Sequence, residues 1–222
     1  MSHSSVDPSA RQKEGQQEQD RADLRLTEVS EQSERIKQVV VASVLASLSV
    51  AVAPVASMLT RLAGWGIALF DPVSLFWIVA FLIGGVRVGM VSTAAGTIGL
   101  FFFDPTGIGP MFKFAATVPM IIVPWLGVKR YGRDVGGQFL SRPLRRIPYG
   151  NYTILMAIAF FVRLLLMIPL NLVIVPIIAP FFTPEQIIAY SLTINAFQSF
   201  WDAFVPLLVV FPTTVFDHFK MW

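Results

Sequence analysis

Cysteine is absent from this 222-residue chain, and the only two histidines, His3 and His218, lie in its terminal regions. The lack of cysteine excludes disulfides, thiolate metal ligands and cysteine nucleophiles. Because both histidines lie at the ends of the chain, the sequence predicts no histidine-dependent site inside the apolar core. We therefore expect no catalytic residue, no metal site and no cofactor.

Charge is also scarce, because only 14% of the residues are charged, against about 25% in a typical soluble domain. Eight of the fourteen acidic residues lie in residues 1–36. The body of the chain is therefore predicted to be an integral membrane protein. Residues 1–36 are predicted to form a polar tail that is disordered or partly helical, and they lack the apolar segment of a cleavable secretory signal.

The apolar segments predict an all-α membrane protein with six transmembrane helices. A helix that crosses a bilayer needs about 17–25 mainly apolar residues. The six candidates are Val39–Leu59, Pro72–Gly84, Val86–Phe103, Gly109–Val128, Thr153–Ile178 and Ile187–Val215.

The distribution of Lys and Arg predicts the orientation of these helices. Basic residues concentrate on the cytoplasmic side of membrane proteins. Fourteen of the seventeen Lys and Arg fall on the side that holds both termini, and only Arg61 falls on the other side. We therefore expect both termini in the cytoplasm, a transmembrane domain over residues 37–217, a short C-terminus at 218–222, and a location in the cell membrane. The net charge of +3 then reflects topology rather than nucleic-acid binding.

Two polar stripes face each other across the last predicted helical hairpin. Residues equally distant from its short outer turn lie at similar depth, which places Arg163 level with Asp202 and Asn171 level with Asn195. Asn195, Gln198 and Asp202 share one helix face at i, i+3 and i+7. Charged residues inside a membrane are costly unless they are paired or face a cavity. Arg163 and Asp202 could therefore form a packing ion pair, or the two stripes could line a ligand pocket open to the outside.

Four further residues are considered as candidates for ligand binding. Lys113, one turn into the fourth span, could extend towards the outer headgroups or face inward to meet an anionic group of a ligand. Trp201 is available to stack on a flat ligand. Asp71 and Asp104 each precede a proline and are interpreted as solvated acids in outer turns.

The first span is rich in small residues, and Ala42-x-x-x-Ala46 would let another helix approach closely. Together with the short second span, the glycine-containing turn and the small-residue third span, this layout resembles the substrate-binding subunit (S component) of energy-coupling factor (ECF) vitamin transporters. The resemblance implies a six-helix bundle with cytoplasmic termini, in which Ala42 and Ala46 dock a transmembrane coupling subunit.

Within that family the sequence is most similar to the riboflavin-specific members. The run LLLMIPLNLVIVP matches their fifth span and places Asn171 on a ligand-contacting asparagine. The start of their sixth-span motif matches Phe200-Trp201-Asp202, whereas Val205 and Pro206 stand where that motif has lysine and glycine.

The resemblance implies the high-affinity substrate-capture subunit of a vitamin importer, with riboflavin as the best single candidate. Its expected partners are a coupling subunit and two ATPase subunits, because this chain lacks a Gly-x-x-x-x-Gly-Lys-Ser/Thr phosphate loop. The substrate-binding residues would be Asn171, Asp202, Asn195, Gln198, Trp201, Arg163 and Lys113. The alternatives are a membrane enzyme, which would lack a nucleophile–base set, a non-catalytic structural or assembly protein, and a standalone small-molecule carrier.

Overall fold

The computed structural model describes residues 31–56, 58, 70–104, 106–131 and 149–213. Within these ranges the regular structure is entirely helical, and all five helices are long and apolar enough to cross a membrane. They are α1 (Glu31–Ala56), α2 (Pro72–Leu100), α3 (Ile108–Tyr131), α4 (Tyr149–Ile178) and α5 (Pro184–Val210). The prediction of an all-helical protein with membrane-length helices is confirmed for this part of the chain.

Several predictions about the ends and loops concern residues outside the described ranges. These are the polar tail up to residue 30, Arg61, the loop arginines at positions 133–146 and the C-terminal residues 218–222. The chain divides into two compact units, Met1–Lys37 and Gln38–Trp222. In the first unit, the described residues form the exposed start of α1, where Arg35 and Glu31 lie 3.9 Å apart. The helix packing and the cavities formed by residues 38–213 lie in the second unit.

Helix α2 breaks at Gly85, which has a φ of 84° that favours glycine. A Cβ added at Gly89 would lie 2.6 Å from the Cβ of Phe81, although residues eight apart in a straight helix are separated by about 12 Å. The two halves, Pro72–Gly84 and Val86–Leu100, therefore fold back against each other. Each half is about 20 Å long, shorter than the hydrocarbon core of about 30 Å. The break falls where the sequence analysis separates the second and third spans.

The folded-back α2 forms the centre of the bundle. In its most apolar window 67% of the residues are buried, against 22% to 44% in the other four helices. Its residues Ile78, Phe81 and Leu82 pack in one apolar cluster with Met120 of α3 and Tyr152 of α4. Helix α2 packs directly against α3 and α5, and Ser74 near its start bonds Asp202 of α5, which positions the candidate site.

Ala42 and Ala46 of α1 face the interior of the bundle. Ala42 and Ala46 are only 1% and 4% exposed, and Ala42 packs in a cluster with Ala80 and Val88 of α2. One turn further, the Trp77 indole N–H donates to Ser49 Oγ at 2.8 Å. The expected direct docking of a coupling subunit on Ala42 and Ala46 does not fit this placement, because their short side chains serve the close approach of α1 to α2.

Two proline-containing caps define where α2 and α5 begin. Asp71 caps α2 by accepting the Val73 N–H at 3.1 Å. Thr183 and Gln186 form a capping box at the start of α5, in which each side chain accepts the other residue's backbone N–H. The chain therefore turns within residues 179–183 between α4 and α5, as the hairpin prediction requires.

Candidate functional site

The α4–α5 hairpin brings the two predicted polar stripes into direct contact. Arg163 Nη1 donates to Asp202 Oδ2 at 2.7 Å, Nε donates to Asn195 Oδ1 at 2.8 Å, and Nη2 donates to Gln198 Oε1 at 2.8 Å. One guanidinium on α4 thus binds three side chains that follow each other along one face of α5. The predicted level placement of Arg163 and Asp202 is confirmed.

Asp202 lies behind Arg163 rather than in an open pocket. Its side chain is only 1% exposed, and its second oxygen, Oδ1, accepts a 2.6 Å hydrogen bond from Ser74 Oγ on α2. Both carboxylate oxygens are therefore engaged within the bundle. Contrary to the expectation, Asp202 is not placed to contact a ligand in an open pocket. It instead holds Arg163 and links α2 to the α4–α5 hairpin through Ser74.

Asn171 and Asn195 are both oriented by Ser191, a residue that the sequence analysis did not identify. Asn171 Nδ2 donates to Met167 O at 2.7 Å and to Ser191 Oγ at 3.3 Å. Asn195 Nδ2 donates to Ser191 O at 2.7 Å. The two asparagines are therefore fixed through a shared serine one turn before Asn195, and that i, i+4 spacing is the signal that could have identified it.

A cavity of about 690 Å³ lies between α2, α3, α4 and α5, within the usual size range of small-molecule sites. The predicted residues that line it are Lys113, Arg163, Asn171, Asn195 and Gln198. The other polar lining residues, which sequence reasoning missed as site residues, are Asp71, Ser74, Thr117, Tyr190 and Ser191. The remaining wall is apolar and includes Phe112, Met167 and Ile194. The cavity therefore combines a polar side with an apolar one, as sites for small organic molecules do.

Lys113 faces this cavity and pairs with Asp71, with Nζ 2.5 Å from Oδ2. The inward interpretation of Lys113 is therefore correct, and its extension towards lipid headgroups is not observed. The interpretation of Asp71 as a solvated turn acid is wrong, because its side chain is only 7% exposed. Its two oxygens serve separate roles, one capping α2 and one binding Lys113.

Asp104, by contrast, lies in the turn between α2 and α3, as the sequence predicts. It accepts hydrogen bonds from Thr106 N–H at 3.1 Å, from Thr106 Oγ1 and from Gly109 N–H at 3.0 Å. The hydroxyl of Thr106 is the main reason that the pKa of Asp104 lies below its ordinary value. With Lys113 and Asp71, Asp104 lines a smaller cavity of about 210 Å³. Since Asp71 and Lys113 line both cavities, their ion pair lies where the two meet.

Trp201 does not line the large cavity, contrary to its expected stacking role. Its ring makes edge contacts with Phe70 and Phe200, with ring centroids 5.4 Å apart in each case. The aromatic side chains that line the cavity are Phe112 and Tyr190.

No family model matches this chain, and no curated protein or solved structure matches it either. Among the described residues, no three His, Cys, Asp or Glu side chains are grouped so that they could hold a metal ion. The function of the site must therefore be inferred from its geometry.

Proposed function

We propose that this protein is the substrate-capture subunit of an ECF-type importer and binds a vitamin-like small molecule in the large cavity. In this proposal the two halves of α2, lengthened by the apolar residues that flank the helix, make separate crossings, which gives six spans with both termini in the cytoplasm of a cell-membrane protein. A coupling subunit and two ATPases supply the energy for release inside.

One observation carries the binding function, namely a cavity of about 690 Å³ whose polar side chains are held in place by their neighbours. Arg163 is 2% exposed and Asn171 is 6% exposed, yet both line the cavity. Their hydrogen bonds to α5 fix them in place before any ligand arrives, which lowers the entropy lost on binding. A purely structural helix contact needs the pairing but not the cavity beside it.

Ligand binding to the purified protein tests this proposal. Native mass spectrometry of the protein extracted from its own membranes would identify a small molecule that co-purifies, and titration with riboflavin under tryptophan fluorescence would test the best single candidate. Asn171→Ala removes a cavity group, so we expect its affinity for the identified ligand to fall by about tenfold, in line with about 1–1.5 kcal/mol for one hydrogen bond.

Thr193→Ala provides the matched control, because Thr193 is exposed on α5 and its hydroxyl donates to the Ala189 carbonyl of its own helix. We expect it to leave the affinity unchanged. If no small molecule binds, and Asn171→Ala changes only thermal stability, the protein has a structural or assembly role and the proposed capture function is wrong. Co-purification of the full chain with a coupling subunit and ATPases would separate the importer from a standalone carrier.

A further inference from the structure

The two cations that line the large cavity are each matched by one buried acid. Lys113 Nζ lies 2.5 Å from Asp71 Oδ2, and Arg163 Nη1 lies 2.7 Å from Asp202 Oδ2. Among the described residues that line the cavity, Tyr190 is the one titratable residue besides Asp71, Lys113 and Arg163. The described wall of the cavity, with Asp202 behind it, is therefore electrically neutral.

The same two cations retain hydrogen-bond donors that the described residues do not use. An arginine has five N–H donors, and three from Arg163 go to Asn195, Asp202 and Gln198. A lysine has three side-chain donors, and among the described residues the ammonium of Lys113 is paired with Asp71 alone. The cavity thus offers several N–H donors without offering net positive charge.

Such a wall suits a neutral acceptor better than an anion. A carbonyl or ring nitrogen accepts these donors while both ion pairs stay intact. An anion must either enter beside two acids or displace one of them, and a displaced Asp71 or Asp202 is left as a buried carboxylate without its partner. The turn acid Asp104 lines the neighbouring smaller cavity, so that cavity adds a further negative charge rather than a positive one.

We infer that the cavity selects an uncharged ligand that is rich in hydrogen-bond acceptors over an anionic ligand of similar shape. This inference rests on the proposed capture function and names the substrate class of that site.

Matched ligand pairs test the inference whichever vitamin is bound. The probes are riboflavin with riboflavin 5′-phosphate, nicotinamide with nicotinate, pyridoxine with its 5′-phosphate, and biotinamide with biotin. Each is titrated against the purified full-length protein by isothermal calorimetry. For every pair that binds, we expect the neutral member to bind at least about tenfold more tightly.

Asp71→Asn sharpens the test, because it leaves Lys113 as a cation without an acidic partner. Asparagine is as good a helix cap as aspartate, so α2 should still begin at Pro72, and a thermal melt checks this. We expect the preference for the neutral member to fall at least about tenfold. Glu185→Gln also replaces an acid with its amide, but at an exposed position on α5, and should leave the preference unchanged.

The outcomes separate the inference from the function on which it rests. If an anionic member binds as tightly as its neutral partner in the unmodified protein, the inference is wrong while the capture function stands. If Asp71→Asn folds but leaves the preference unchanged, charge matching is not its cause and the inference is also wrong. If no pair binds, the capture function fails for these ligands and the inference falls with it.

Discussion

Replacing Asp202 with asparagine removes one charge from the most buried ion pair of the described structure while it changes side-chain size very little. Two features of the site make this substitution costly. Arg163 stays 2% exposed without an anionic partner. Arg163 and Ser74 donate to different oxygens of Asp202, and an asparagine has only one oxygen. Its amide N–H group would therefore face one of these donors.

The expected loss of stability follows from that geometry. Removing one partner of a buried ion pair costs about 3–5 kcal/mol. For a protein of this size each kcal/mol lowers the Tm by about 2–4 °C, so the Tm should fall by about 6–20 °C. A double variant, Asp202→Leu with Arg163→Met, should be more stable than Asp202→Asn, because replacing a buried pair with apolar residues is often neutral.

Thermal unfolding in detergent, followed by tryptophan fluorescence, measures these differences. The control is Glu185→Gln, the same change from acid to amide in the exposed first turn of α5, where we expect little change in Tm because solvent screens the charge. If Asp202→Asn melts within the range of this control, then Asp202 is not a buried, ionised partner of Arg163. If the double variant is the least stable of the three, the cost does not come from an unpaired charge.

Two further predictions concern α1 and the turn before α3. Ala42→Leu should lower the stability of the isolated protein by about 1–3 kcal/mol through overpacking, whereas Val44→Leu, at a 52% exposed position, should not; equal melting temperatures would refute the inward placement of Ala42. The lowered pKa of Asp104 means that folding favours the ionised form of this carboxyl group. Its contribution to the stability of the folded protein is therefore present above the unfolded pKa of about 3.9. That contribution is lost as the pH falls through the lower folded pKa. Thr106→Val removes the main cause of that shift and should therefore reduce the loss of Tm between neutral pH and pH 3; an unchanged pH dependence would refute it.

The contacts that the sequence predicted well are those set by local geometry. The short turn between α4 and α5 fixes which residues of the two helices lie level. Counting residues outward from that turn therefore predicts that Arg163 lies level with Asp202. Glycine and small residues around position 85 marked the break in α2 for a similar reason, since a residue with positive φ is favourable mainly when it is glycine.

The contacts that the sequence missed depend on how separate helices pack. Lys113 meets Asp71 because α3 lies against the start of α2, and no local spacing encodes that approach. The orientation of Trp201, by contrast, can be predicted from helix geometry. Neighbouring residues on a helix point about 100° apart, so once Asp202 faces Arg163, Trp201 must face elsewhere, and it packs on Phe70.

The choice between a packing ion pair and a ligand pocket depends on what Arg163 does with its remaining donors. A guanidinium that served only to hold helices together would be best placed with all five donors satisfied, because unsatisfied buried donors are costly. Arg163 instead gives three donors to α5 and borders a cavity of about 690 Å³. Asp202 neutralises the charge of Arg163, and the three hydrogen bonds to α5 fix the orientation of the guanidinium. Since Arg163 also lines the cavity, one ion pair can serve both the packing of the hairpin and the proposed capture of a ligand.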